Sequence, residues 1–204
     1  MGTIGATFYL IGIGLIYLMT GTLNLADMEL RIHEVADQKP ILVAAGFITI
    51  GLALKAAVFP LHVWLPNSYT YAPNPVTVFL AACSTKVSLY LLLRFDFFVF
   101  QENLAGHAFQ FAAYLMPLAI LGILVGSAVA MFETNIKRLL AYSTIAHAGY
   151  MMMPVAAGLH MIGTNPDGAQ AAFASMLIYA SIYVFMNLGA FAIVALLRNE
   201  MFSE

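Results

Sequence analysis

The sequence predicts an all-α fold, a polytopic transmembrane helix bundle of about six spans with one helix broken next to Lys55. Three observations predict it. Of 204 residues, 62% are hydrophobic and only 9% are charged, against about 25% charged in an ordinary soluble domain. Mean hydropathy is +0.90. Apolar runs of roughly 20 residues, the length needed to cross about 30 Å of hydrocarbon, recur along the chain with the charges gathered between them. The chain therefore reads as a single transmembrane domain over residues 1–204, with no separate soluble domain. A net charge of −2 without a basic cluster gives no support for nucleic acid as a partner.

The expected spans are residues 4–20, 41–59, 76–95, 112–132, 138–160 and 170–197. The first, in MGTIGATFYLIGIGLIYLMTG, lacks the positive n-region of a secretory signal and is long enough to span, so it reads as a retained helix. Its Gly2 leads straight into the apolar run and does not read as a myristoylation signal. The connection NLADMELRIHEVADQKP mixes Asp27, Glu29, Glu34 and Asp37 with Arg31 and Lys39, as a polar segment with room for a short surface helix would.

The next connection, PLHVWLPNSYTYAPNP, carries Pro60, Pro66, Pro73 and Pro75 and almost no charge. Pro60 lacks an N–H, so the carbonyl of Ala56, one residue after Lys55, loses its helical partner. A helix broken at membrane depth is tolerated where protein or a watery cavity satisfies the backbone, which points residues 56–62 inward. Residues 66–75 read as an interfacial loop, with Trp64, Tyr69 and Tyr71 in an aromatic belt. Cys83 is the single cysteine and excludes an intramolecular disulfide. With six spans, Lys137, Arg138 and Arg198 fall on one side of the membrane and Arg31, Lys39 and Arg94 on the other. The count of basic residues is a tie, and the compact Lys137-Arg138 pair in a very short loop tips the expected cytoplasmic side to its own.

Two lysines stand out. Lys55 lies about 21 Å along a helix starting at Ile41, and Lys86 about 15 Å into the span beginning near Val76. An ammonium at the bilayer centre costs about 2.5–3.5 kcal/mol on insertion scales. A desolvated lysine exchanges its proton more readily than a hydrated one, so both are candidates for proton translocation. Snorkelling along the helix to the interface is the alternative for Lys55, and it is harder to apply to Lys86 near the midplane. His147, about 13 Å into its span, is the third candidate. Ser143, His147 and Tyr150 share one helix face, where an imidazole between hydroxyls can pass a proton by exchanging its tautomer. A helix-packing hydrogen bond serves His147 equally well.

Ser175, Tyr179, Tyr183 and Asn187 form a polar seam along the last span, read first as helix–helix glue and second as a proton path. Lys137, Ser143, Tyr150, Tyr179, Tyr183 and Asn187 are the auxiliary candidates, while Glu133 reads as a solvated loop charge. Met151 to Met153, His62, His107 and His160 carry no metal-ligand spacing. No Cys/His metal pattern, phosphate loop or catalytic triad supports soluble enzyme chemistry or a metal site.

The segment ALKAAVFPLHVWLPNSYTYAPNPVTVFLAACSTKVSLYLLLRF resembles the most characteristic stretch of the antiporter-like membrane subunits, and NIKRLLAYSTIAHAGYMMM resembles a second signature in the same order. That family comprises proton-pumping subunits of respiratory complex I, subunits of membrane-bound hydrogenases and Mrp-type cation/proton antiporters. STKVSLY is most similar to the Mrp D-type subunits, whereas IAHAGY and YVFMNLGAFAIVALL are more similar to the N-type subunit of complex I. The resemblance runs over nearly the whole chain and implies that Lys55 is the lysine of the family's broken seventh helix. It likewise implies that Lys86 is the lysine of the following helix and that His147 occupies a variable polar position on the tenth.

In the family the seventh-helix lysine pairs with a glutamate on the fifth helix, and a further lysine or glutamate sits on the twelfth. This chain is similar to the sixth to eleventh helices alone, so it is expected to be a fragment of a longer subunit, a split product completed by another chain, or a truncated form. The resemblance also puts Lys137 and Arg138 on the cytoplasmic side.

The function expected is that of the central portion of a proton-translocating subunit in a complex I-like or Mrp-type complex, within a bacterial or archaeal cytoplasmic (inner) membrane. Its partners would be the lipid bilayer, other membrane subunits and a chain supplying the missing helices. It would hold no cofactor, leaving electron transfer to partner subunits. The alternatives are a structural or assembly subunit without transport, a cation/proton antiporter subunit, and an independent small transporter that dimerises.

Overall fold

The computed structural model describes residues 2–35, 38–95, 105–161 and 164–201, and among the described residues are nine α-helices and one π-helical turn. Asp37 and the side chains of His107 and Arg198 lie outside the described part. Helix α1 (Gly2–Thr20) is an apolar rod that ends where Gly21 turns left-handed (φ 70°) and returns its N–H to Tyr17. Asn24 then caps α2 (Leu25–Val35), its side-chain oxygen accepting the Ala26 N–H at 3.1 Å. This short helix is the surface element foreseen in the first connection. It buries Met28 and Ile32 and turns outward Asp27 and Arg31, which pair at 3.0 Å. The Arg31 hydrogen bond holds the Asp27 carboxyl below the usual carboxylate range. Arg31 also donates to the Thr20 carbonyl at the end of α1, where the helix dipole favours a cation.

Helix α3 (Lys39–Ala56) enters through Pro40 in its first turn and packs along α1. The two approach closely because small residues line the seam: a Cβ on Gly51 would stand 2.7 Å from the Tyr9 backbone nitrogen. The break falls earlier than the proline alone dictates. Ala57 is already left-handed (φ 57°), and the N–H groups of Ala57 and Val58 turn back to the carbonyls of Leu54 and Ala53. The chain then passes the cis Phe59–Pro60 peptide and re-forms as α4 (Trp64–Tyr71). Residues 66–75 are thus not an interfacial loop. Tyr69 is 0% exposed and stacks edge-on against Phe191, because the helical turn aims it into the bundle, away from the belt position expected of it.

Helix α5 (Asn74–Phe79), a π-helical turn (Leu80–Ser84) and α6 (Thr85–Arg94) form one rod. Helix α7 (Ala105–Phe132) and helix α8 (Ile136–Met161) pack as a tight pair, and a Cβ on Gly149 would meet the Ala119 carbonyl oxygen at 2.6 Å. Asn135 caps α8 through the Lys137 N–H, and Asn165 caps α9 (Pro166–Met201) through that of Gly168. Among the described residues, five helical segments are long and apolar enough to cross a membrane: Gly2–Thr20, Lys39–Ala56, Asn74–Arg94, Ala112–Phe132 and Pro166–Leu197. Helix α8 occupies the remaining expected span, 138–160. Its 26 residues suffice in length, but Ser143, Thr144 and His147 make it less apolar, and it is packed against α7, α9 and α4. The core behind the site is a cluster of Leu65, Tyr69, Ala81, Ala141, Ile145 and Phe191 that joins α4, the π turn, α8 and α9.

Candidate functional site: a polar junction inside the bundle

Lys86 is 6% exposed and sits in the first turn of α6, immediately after the π turn. A π turn bonds each carbonyl five residues on. The Ala81 carbonyl, which lies in this turn, also receives two side chains. It accepts the Lys86 ammonium at 2.5 Å and the Asn187 amide of α9 at 3.1 Å. The ammonium also lies over the Tyr183 ring, 4.3 Å from its centroid, a cation–π distance. Among the described residues no carboxylate lies within ion-pair reach of Lys86.

The same Tyr183 ring receives His147 from α8, with centroids 4.3 Å apart, while the Tyr183 hydroxyl donates to Thr144 at 3.2 Å. His147 Nδ1 and the Tyr179 hydroxyl share a hydrogen bond of 2.6 Å, its direction set by the imidazole tautomer. Tyr150 stands at the edge of this group, 5.9 Å from His147 between ring centroids. Three of the long helical rods therefore contribute Lys86, His147, Tyr179, Tyr183 and Asn187 to one junction.

Other sequence candidates lie elsewhere. Ser143 makes no hydrogen bond to His147, and Ser175 bonds back to the Ala172 carbonyl of its own helix, so the expected seam of α9 narrows to Tyr179, Tyr183 and Asn187. Lys137 is buried and donates to the Ala72 carbonyl at 3.1 Å, tying the start of α8 to the end of α4. Glu133 pairs with Arg138 at 3.4 Å. Pro60 lies within the break, as its chemistry requires.

Lys55 is half-buried in the last turn of α3, where the helix dipole favours a cation, and its stem lies against Gly5 of α1. Among the described residues it has neither an ion-pair nor a hydrogen-bond partner. The neighbouring Leu54 carbonyl is held by the Trp64 indole N–H at 2.9 Å, so α4 is latched to α3 across the break.

Sequence reasoning missed Thr144 and put Tyr69 in the aromatic belt; Thr144 directly adjoins Ser143, so its position was a usable signal. The π turn had none, since its residues Leu80 to Ser84 suit an ordinary helix.

Apolar rods enclosing a buried cation, an imidazole and several hydroxyls define an integral membrane protein with a polar interior. The chain belongs to the NADH:quinone oxidoreductase/Mrp antiporter transmembrane family, whose model matches residues 1–204. NADH-quinone oxidoreductase subunit N of Desulforudis audaxviator is 43% identical over 158 residues, 78% of this chain and 31% of that protein. Among solved structures, a chain of the membrane-bound sulfane sulfur reductase, an archaeal respiratory membrane complex, superimposes with a TM-score of 0.74 at 30% identity, over 92% of this chain and 36% of that one. A chain of respiratory complex I from Thermus thermophilus gives 0.66 at 31% identity, over 95% and 38%. The chain spans about a third of the length of the curated relatives it matches. These structural neighbours are parts of multisubunit membrane complexes.

Proposed function

We propose that this chain, as one transmembrane unit, is the central portion of a proton-translocating subunit of a complex I-like or Mrp-type membrane complex. The observation that carries the reading is that Lys86 and His147, on different helices, both rest against Tyr183. The Lys86 amine takes up and releases a proton, and His147, against the same Tyr183 ring, receives it. A neutral imidazole that gains a proton at one nitrogen can lose one from the other, so the Nδ1 contact with Tyr179 gives the proton an onward route. Tyr150, at the edge of the group, and Asn187, on the shared Ala81 carbonyl, are auxiliary.

Lys55 acts as the gate in this reading. It stands at a helix end beside the break, and a carboxylate from outside the described residues would be its ion-pair partner. Separation of that pair would alter the charge seen by Lys86. The missing helices would come from a further segment or a further chain, the other partners being membrane subunits and lipid. The membrane would be the cytoplasmic one of a bacterium or archaeon, with Lys137 and Arg138 facing the cytoplasm. Electron transfer is assigned to other subunits.

The assembly-only reading draws on one observation, the closed contacts of Lys86 with the Ala81 carbonyl and the Tyr183 ring. Lys86→Ala in the assembled complex separates the two. Proton translocation should be lost with assembly intact, and unchanged pumping would reject the transport reading.

A further inference from the structure

Asn187 of α9 is 3% exposed, and its amide crosses the bundle to the Ala81 carbonyl of the π turn at 3.1 Å. The Lys86 ammonium rests on the same oxygen at 2.5 Å. Two donors from two helical rods therefore meet on one acceptor. Chemistry fixes which end of the amide faces it, since the Asn187 side-chain oxygen would be repelled by a carbonyl. Asn187 also reaches the hydroxyl of Tyr183, one turn earlier on α9, whose ring meets the ammonium. A buried asparagine in a membrane span ordinarily joins two helices. This one does so on the acceptor of the buried cation.

We propose that Asn187 is a positioning residue that loosens the hold of the Ala81 carbonyl on the Lys86 ammonium and so sets how readily Lys86 gives up its proton. A carbonyl oxygen that already accepts one N–H attracts a second donor less, and the positive ends of the two donors repel across it. Loss of the amide would leave the oxygen to the ammonium and favour the charged form. The amide also keeps the carbonyl bonded after Lys86 has released its proton, so that a buried acceptor is not orphaned in the neutral state. The other titratable groups facing Lys86 are Tyr183 of α9, His147 of α8 and Cys83 of its own rod. Helix α3, which also packs on α6, carries as titratable residues only Lys39 and Lys55, near its two ends. The role of Asn187 rests on the transport reading above.

The test compares Asn187→Leu, which keeps much of the volume without the amide, and Asn187→Asp, which keeps the shape, with Lys86→Ala. All are assembled in the complex and reconstituted into vesicles, and proton flux is measured across pH. In Asn187→Leu flux should fall about tenfold, the low side of what a positioned proton-transfer group contributes. Its half-maximal pH should move upward by about one unit, the shift that a tenfold change in proton affinity gives. Asn187→Asp sets a carboxylate against the ammonium and should lose flux more completely, because the ion pair favours the charged form further. If Asn187 only packs helices, the variants melt at a lower temperature while the remaining flux keeps the parental pH profile, and that result overturns the proposal. The isosteric Asn187→Asp decides alone where Asn187→Leu does not assemble: parental flux and profile in it overturn the proposal too. Parental flux in Asn187→Leu, while Lys86→Ala abolishes flux, overturns the positioning role and leaves the transport reading standing. Flux surviving in Lys86→Ala overturns that reading, and the role of Asn187 with it.

Discussion

Lys86 Nζ stands 4.3 Å from the centroid of the Tyr183 ring, so a membrane-embedded cation on one helix is held against the π face of an aromatic on another. A cation–π contact contributes about 0.5–2 kcal/mol, the upper end applying when the pair is desolvated as here. Tyr183→Phe keeps the face and loses only the hydroxyl bond to Thr144, whereas Tyr183→Leu loses both. Proton flux measured in vesicles should therefore fall less in the Phe variant than in the Leu variant. Equal losses would show that the hydroxyl alone matters.

The 2.6 Å bond between His147 Nδ1 and Tyr179 fixes the imidazole orientation at the outer edge of the junction. Tyr179→Phe should slow proton transfer about tenfold and change its pH profile, because the ring is free to rotate and its tautomers are no longer biased. His147→Leu should be more severe, on the order of a hundredfold. A Tyr179→Phe variant with the parental pH profile would assign His147 to helix packing.

Trp64 reaches across the break to the Leu54 carbonyl, one residue before Lys55. Trp64→Phe removes that hydrogen bond, worth about 1 kcal/mol net, while the carbonyl keeps the Ala57 N–H. The assembled complex should melt at a slightly lower temperature and show reduced proton flux in vesicles. Unaltered flux would detach the latch from the gate assigned to Lys55.

Much of the fold was legible because long apolar runs can do little else in a bilayer than form helices. Lys86, His147, Tyr179, Tyr183 and Asn187, which the fold brings into one junction, were conspicuous in the sequence, since polar residues stand out against such a background. What hid was whatever depended on local backbone geometry. The left-handed Ala57 ends α3 ahead of Pro60, and a helical turn instead of a loop sends Tyr69 inward. The Ala81 carbonyl meets two side chains inside a π turn, in a stretch, Leu80 to Ser84, that carries no signature of it. Ser143 misled because helical spacing places residues on a face without saying what that face meets.

The most direct test of the account is the initial rate of proton uptake by vesicles carrying the assembled complex with Lys86→Met or Lys86→Arg. Methionine keeps much of the volume without a charge, and arginine keeps a charge that it does not release. If Lys86 exchanges a proton, both variants assemble and both lose uptake. Uptake at the parental rate in either variant would contradict the assignment of Lys86 as the proton carrier.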